Sequence, residues 1–394
     1  MISTLLCDLD NTLLTNDMRR FIRAYLALLG EHLADFAEPE GMVAALMAGT
    51  QAMLANERPE QTLRQVFDEV FYPSLHLDPQ AVRGAIEDFY VRRFPELRVH
   101  TQPVATAPEL VRLAFERKWK VAVVTNPLFP STAIEQRLDW AGLPPRANPF
   151  DLITSYEESH FAKPHPEYLA EALAHLGSQP EETLLVGDDL EMDIRPARRL
   201  GLRTFWVTGE MRRSGDGSLS AGSLADLYQA LLEDGDTCGQ INPPDPMALP
   251  HVMRGHLGAV LTAFSRHAAW SVGPLDADWS PTEIACHLRD VEREITQPRI
   301  EMLTGDENPY LPAIESDRWA EQRGYRAQNG PAALQAFVEA RSRTVDLLLG
   351  LPPQTWQRPG RHAIFGPTTL AEQVSFIARH DMMHLDQMHA RPTD

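Results

Sequence analysis

The chain has 394 residues, with 36 Lys+Arg against 55 Asp+Glu and a formal net charge of −19. That length suggests two or three domains, and the acidic excess argues against a nucleic-acid-binding protein, whose affinity rests on neutralising phosphates with cations, and against attachment to an anionic membrane. Three cysteines without CxxC spacing (Cys7, Cys238, Cys286) speak for a reducing compartment, and with no signal peptide or membrane span legible the expected location is cytoplasmic.

Ile2, Leu5 and Leu6 read as a short buried strand, and Asp8 and Asp10 leave its carboxyl end, the edge where open parallel α/β sheets place their ligands. Two carboxylates one residue apart repel, which a divalent cation would relieve. An Asx turn or helix cap is the bland alternative. An EF-hand loop is excluded, because Leu13 stands where the turn needs glycine and no glutamate closes the loop.

From about Arg19 to Val99 the chain reads as helices, around Phe21 to Leu29, Gly41 to Leu54, Leu63 to Val70 and Ala81 to Phe94. A helix over Ala107 to Lys118 then precedes a strand at Val121 to Thr125. Further strands are predicted at Leu152 to Thr154, Thr183 to Gly187 and Arg203 to Val207, with helical segments between them. This alternation predicts a Rossmann-like, doubly wound parallel sheet, with the Asp8 strand joined to it across an inserted helical module. The stretch from Asp234 to Leu249, polar and carrying Pro243, Pro244 and Pro246, is the predicted linker. Beyond it, four amphipathic segments (His251 to Trp270, Thr282 to Leu303, Ala332 to Leu349 and Leu370 to His389) predict an all-α four-helix bundle with little strand.

The later strands also end in polar groups. Val121 to Val124 delivers Thr125-Asn126, suited to anionic oxygens, and Leu184 to Val186 delivers Gly187-Asp188-Asp189, with Asp193 following, suited to Mg²⁺. Lysine is scarce, occurring at Lys118, Lys120 and Lys163 alone, and Lys163 stands just before a predicted helix, where its ammonium could meet a phosphate dianion. A cap, a turn or a solvated cation accounts for each feature singly. Four segments jointly mimicking one site is far less plausible.

On these motifs, Asp8-Leu9-Asp10-Asn11-Thr12, Thr125, Lys163 and Gly187-Asp188-Asp189 in that order, residues 1–233 resemble the haloacid dehalogenase (HAD) superfamily. The helical insertion, about 15–100, resembles its C1-type cap. The resemblance implies Asp8 as nucleophile, Asp10 as general acid and base, and Thr125 and Lys163, with Asn126 assisting through its backbone, as holders of the phosphoryl oxygens. It implies Mg²⁺ held by Asp8, Asp188 and the Asp10 carbonyl, with Asp189 and Asp193 in supporting or capping roles. Asp10 favours phosphate transfer over dehalogenation, and a cap without lysine argues against a phosphonatase. Arg58, Arg64, Arg83, Arg92 and Arg93 are candidate anion contacts in the cap.

In the bundle, His380 and His384 at i,i+4 spacing share one helical face, and His287 is the candidate third ligand. Histidines merely packed in a helix are the bland alternative. Trp279-Ser280-Pro281 opening the helix of His287, and Arg379-His380-Asp381-Met382-Met383-His384, give residues 250–394 a resemblance to the DinB-like family of metal-binding four-helix bundles. It implies Zn²⁺, Ni²⁺ or Fe²⁺ on His287, His380 and His384. The leading expectation is a Mg²⁺-dependent phosphatase for a small phosphorylated substrate, working through an aspartyl-phosphate and fused to a domain that binds a divalent metal on three histidines. The alternatives are a metal-dependent thiol or small-group transferase centred on the bundle, and a bundle that serves as a structural or homodimerisation element.

Overall fold

The computed structural model describes residues 1–234, 238–267, 269–270 and 279–389, with the backbone alone for Asp234 and His389. The chain divides into two compact units, Met1–Pro244 and Asp245–Asp394. Residues 235–237 of the predicted linker, residue 268 of the first predicted bundle helix and the final 390–394 lie outside the described residues.

In the first unit β1 (Thr4–Cys7) is followed by β2 (Leu14–Asn16), then α1 (Met18–His32), α2 (Pro39–Leu54), α3 (Leu63–Ser74), α4 (Pro79–Arg92) and β3 (Thr101–Pro103). Alternation follows through α5 (Ala107–Glu116), β4 (Lys120–Val123), α6 (Ser131–Trp140), β5 (Leu152–Ile153), α7 (Pro166–Leu176), β6 (Thr183–Gly187), α8 (Arg195–Leu200) and β7 (Arg203–Val207). β8 (Arg212–Arg213), β9 (Leu219–Gly222) and α9 (Leu224–Asp234) close the unit. The seven-stranded sheet runs β5-β4-β1-β6-β7-β9-β8, parallel except between β8 and β9. β1 lies at its centre, Leu5 opposite Val121 on one side and Leu184 on the other. A strand covered on both faces needs an unbroken apolar run rather than alternation, and Leu5, Leu6 and Cys7 are all buried.

The inserted helices leave and rejoin the sheet through an antiparallel ribbon of β2 and β3, Leu14 opposite Pro103. Local signals start them: Asp17 accepts from the Arg20 amide, and Thr62 with Gln65 forms a capping box for α3. Phe21, Tyr25, Phe89 and Phe94 pack edge to face, and Phe94 stacks on Trp140 of α6 at 5.6 Å, which ties the module to the sheet's helical layer. Asn56 adds a second tie by donating to the His160 carbonyl at 2.8 Å.

The second unit contains α10 (Leu249–Ser265), α11 (Pro281–Val291), α12 (Gln297–Gly305), β10 (Tyr310–Leu311), α13 (Trp319–Gln322), α14 (Gly330–Leu349), β11 (Pro359–His362), β12 (Gly366–Thr369) and α15 (Leu370–His389). α11 packs against α14 and α10 against α15. The helix predicted over Thr282 to Leu303 is interrupted by a π-helical turn at Glu292–Thr296, where the Gln297 amide reaches back to the Glu292 carbonyl. Pro298, which has no N–H to give to the preceding turn, follows directly. Glu292, so placed, accepts from Arg341 Nε at 2.9 Å, and Arg341 forks onto Asp381, a buried network linking α14 to α15. The three-stranded sheet β10-β11-β12 is additional to the predicted helices. Among the described residues no helix is long and apolar enough to cross a membrane.

Candidate functional site

The carboxyl ends of β1, β4 and β6 meet at one place. Asp8 prolongs β1, its amide donating to the Val186 carbonyl at 2.9 Å, and its carboxylate is buried. Lys163, on the loop before α7 and 3 % exposed, donates through Nζ to Asp8 Oδ1 at 2.6 Å and also to Asp193. Asp8, Asp188 and Asp193 each offer a carboxylate oxygen within 4.8 Å of the others. Asp193 comes this close because residue 187 has no side chain: a Cβ there would lie 2.6 Å from the Asp193 carboxyl carbon.

Electrostatics set this cluster apart. Burial, opposed by Lys163, raises the pKa of Asp8. Burial pushes Asp188 up to about 6, with Asp193 and Asp189 adding to the rise, and pushes Asp193 to about 6 against the pull of Lys163. Lys163 stays charged in spite of its burial because Asp193 and Asp8 hold its pKa above the ordinary lysine value. Three carboxylates thus face one ammonium. The excess negative charge, presented by oxygen donors alone, fits a hard divalent cation such as Mg²⁺.

The remaining expected residues converge on the same end of the sheet. The Thr125 carbonyl accepts from Tyr168 Oη at 2.6 Å and Thr154 Oγ1 at 3.1 Å, which fixes the backbone beyond β4. Asn126 Oδ1 accepts from the Lys163 amide at 3.2 Å, so its side chain ties this turn to the lysine loop. Asp10 Oδ1 accepts from Asn16 Nδ2 at 3.1 Å and from Arg137. Asp189 accepts from the amides of Glu191 and Met192, capping the turn that carries Asp193.

Arg137 was not among the expected residues. Buried on α6, it stands over the rings of Phe21 and Phe129 at 5.4 and 5.9 Å, and burial lowers its pKa to about 10. Its sequence signal is positional: Ala133, Ile134 and Leu138 mark the buried face of α6, and an arginine on that face needs an anionic partner. Of the cap arginines, Arg58, Arg64, Arg92 and Arg93 pair with Glu69, Asp68, Asp88 and Glu96. Between the inserted helices and the loop after β4 lies a cavity of about 240 Å³ whose lining includes Tyr25, Phe67, Phe71, Tyr90, Phe129 and Tyr156.

In the second unit, His380 Nε2 lies 3.1 Å from both His287 Nε2 and His384 Nε2. His384 turns its Nδ1 to the Gln387 amide oxygen at 2.9 Å, which puts the ring proton on Nδ1 and leaves Nε2 a lone pair. Trp279 packs on His287 and lies parallel to His384. Burial, reinforced by the neighbouring imidazoles, lowers His287 to about 3 and His380 to about 4, so these rings are neutral near pH 7. Three neutral imidazoles converging on one point suit a borderline transition metal.

Residues 2–201 match the family described as haloacid dehalogenase-like hydrolase, and residues 251–388 match the DinB superfamily. Pyrophosphatase PpaX of Anoxybacillus flavithermus is 27% identical over 207 residues, covering 52% of this chain and 83% of that protein. The glyceraldehyde 3-phosphate phosphatase of Methanopyrus kandleri is 28% identical over 223 residues, covering 52% of this chain and 84% of that protein. Among solved structures, YfiT from Bacillus subtilis, described as a probable metal-dependent hydrolase with an unusual four-helix bundle topology, aligns with 39% of this chain and 91% of its own, at 17% identity and a TM-score of 0.35.

Proposed function

Because the chain belongs to the haloacid dehalogenase-like hydrolase family, we propose that its first unit is a Mg²⁺-dependent phosphatase acting on a small phosphomonoester through an aspartyl-phosphate at Asp8. The observation that carries this reading is the Asp8 carboxylate, buried at the end of the central strand and held by Lys163 Nζ at 2.6 Å beside Asp188 and Asp193. That the two curated relatives are named as a pyrophosphatase and a phosphatase points the same way.

On this reading an Asp8 oxygen attacks phosphorus as the ester P–O bond breaks, and Asp10 delivers a proton to the departing oxygen. Asp10 then takes a proton from water as that water attacks phosphorus, releasing phosphate and restoring the Asp8 carboxylate. Arg137 and Asn16 hold Asp10 in place for both transfers. Lys163 and Thr125 hold the phosphoryl oxygens; Asn126 keeps its side chain on the Lys163 amide and has its own amide for substrate. Mg²⁺ bound by Asp8, Asp188 and the Asp10 carbonyl would supply charge neutralisation for the transferring group. Borohydride added during turnover of p-nitrophenyl phosphate would reduce the acyl phosphate to homoserine at position 8, read by peptide mass. Turnover with an unmodified position 8 contradicts the intermediate.

For the second unit we propose a divalent metal, Zn²⁺, Ni²⁺ or Fe²⁺, on His287, His380 and His384, supported by the convergence of their Nε2 atoms. Elemental analysis of the full chain should find one transition metal that is lost on replacing all three histidines by alanine. Metal surviving that change refutes the ligand assignment.

A further inference from the structure

A cavity of about 330 Å³ lies within the second unit. Its walls are largely apolar, with Ile295 and Ile300 inside and Ile314, Ile364 and Phe365, exposed although apolar, on the loop and hairpin around it. Polar side chains interrupt this surface, and Arg299 and His362 are the two that matter for an anion. Arg299 of α12 gives Nη2 to the Pro312 carbonyl at 2.9 Å, while its Nε is buried without an acceptor. Among the described residues no carboxylate stands within ion-pair reach of Arg299, although the chain holds 55 acidic residues against 36 basic ones.

The second donor is His362, at the end of β11. Its Nδ1 accepts from the amides of Ile364 and Phe365 at 3.2 and 3.3 Å, so the ring proton of the neutral form sits on Nε2. Burial and the neighbouring Arg299 keep the ring neutral by lowering its pKa. His380 also belongs to the wall, so the histidine cluster borders the same space.

We infer that this cavity binds a small apolar monocarboxylate, its carboxylate on Arg299 with His362 as second donor and its hydrocarbon body against the isoleucines and phenylalanines. A guanidinium left without a counterion in apolar surroundings is costly, and a carboxylate both neutralises it and satisfies the idle Nε–H. One positive charge beside a neutral imidazole matches a monoanion better than a phosphate dianion. The volume falls in the range of small-molecule sites. The assignment is independent of the phosphatase reading and needs no metal, because the anchoring groups are Arg299 and His362.

Isothermal titration of the full chain, metal-free and Zn²⁺-loaded, with octanoate, 4-phenylbutyrate, octanamide and inorganic phosphate tests it. One equivalent of octanoate or 4-phenylbutyrate should bind in both metal states, with octanamide at least ~10-fold weaker. Arg299→Gln should weaken the carboxylate at least ~10-fold and leave octanamide unchanged, while Arg299→Lys should restore part of the loss. Preference for octanoate over 4-phenylbutyrate would identify the body as an aliphatic chain, and the reverse as an aromatic one. The inference is overturned if neither carboxylate binds, if octanoate and octanamide bind equally, if phosphate competes for the same equivalent, or if carboxylate binding requires the metal and ignores Arg299. Should Arg299→Gln fail to fold, the octanoate and octanamide contrast on the unaltered chain still decides.

Discussion

A Cβ built at Gly187 would lie 2.6 Å from both Cγ and Oδ2 of Asp193, a backbone-anchored clash that only movement of Asp193 can relieve. Gly187→Ala should therefore cost about 1–3 kcal/mol by overpacking and, by pushing Asp193 off Lys163, weaken Mg²⁺ binding. Urea denaturation with and without Mg²⁺ reads both effects. The pH dependence follows from the same carboxylates. Asp188 and Asp193 titrate near 6 when folded, against an ordinary value of 3.8. Between about pH 4 and 6 the metal-free folded chain holds protons that the unfolded chain releases, so these groups make stability fall as pH rises through that window. A divalent cation binds the ionised carboxylates, so Mg²⁺ should raise the melting temperature more at about pH 7 than at about pH 5, by calorimetry; equal shifts would count against the carboxylate site. Asp8 and Asp188 stood out in the sequence because each follows an apolar strand run, and Lys163 because lysine is scarce and it stands just before a helix, in an order that carries meaning. Arg137 carried a local signal as an arginine on the buried face of α6, but its partner Asp10 is distant in sequence, and Arg299 is marked only by a missing partner.

Helix starts were legible where side chains announce them. Ser280-Pro281-Thr282-Glu283 spells a capping box, and in the structure Ser280 Oγ accepts from the Glu283 amide while the Glu283 carboxylate accepts from the Ser280 amide. Since His287 rides on α11, this cap positions a proposed metal ligand as well as a helix. Ser280→Ala should destabilise the protein by about 1–2 kcal/mol, measured in urea, and lower its metal affinity; an unchanged midpoint would mean that packing alone holds the end of α11. Strand β8 and the β11–β12 hairpin were missed for a common reason, whereas β9, buried between β7 and β8, was hidden by its small and polar residues Ser220, Ala221 and Gly222. The residues of β8 and the hairpin, such as Pro359-Gly360-Arg361-His362, lack the apolar alternation of a half-buried strand, and they pair at sheet edges or in small sheets where burial demands little. The π-helical turn at Glu292–Thr296 was hidden for the opposite reason: the apolar periodicity continues across it, and only Pro298 hints at the break.

Two compact units carry two donor sets of contrasting chemistry, carboxylate oxygens around Asp8 in one and imidazole nitrogens around His380 in the other. The doubly wound sheet with inserted helices and the helical second unit were legible because strand and helix periods change along the chain where the architecture does. The chemistry of the substrate was not, since Arg58, Arg64, Arg92 and Arg93 of the cap are paired with cap acids and the nearby cavity is aromatic rather than cationic. In the proposed mechanism phosphoryl transfer depends on Asp8. Phosphate release by the full chain with Mg²⁺, across a panel of phosphomonoesters and beside Asp8→Asn, tests it most directly. Release by the unaltered chain is expected, with at least a ~10³-fold loss in Asp8→Asn and the fold retained. Release that survives Asp8→Asn but disappears in His287→Ala would place the chemistry in the second unit and contradict the account.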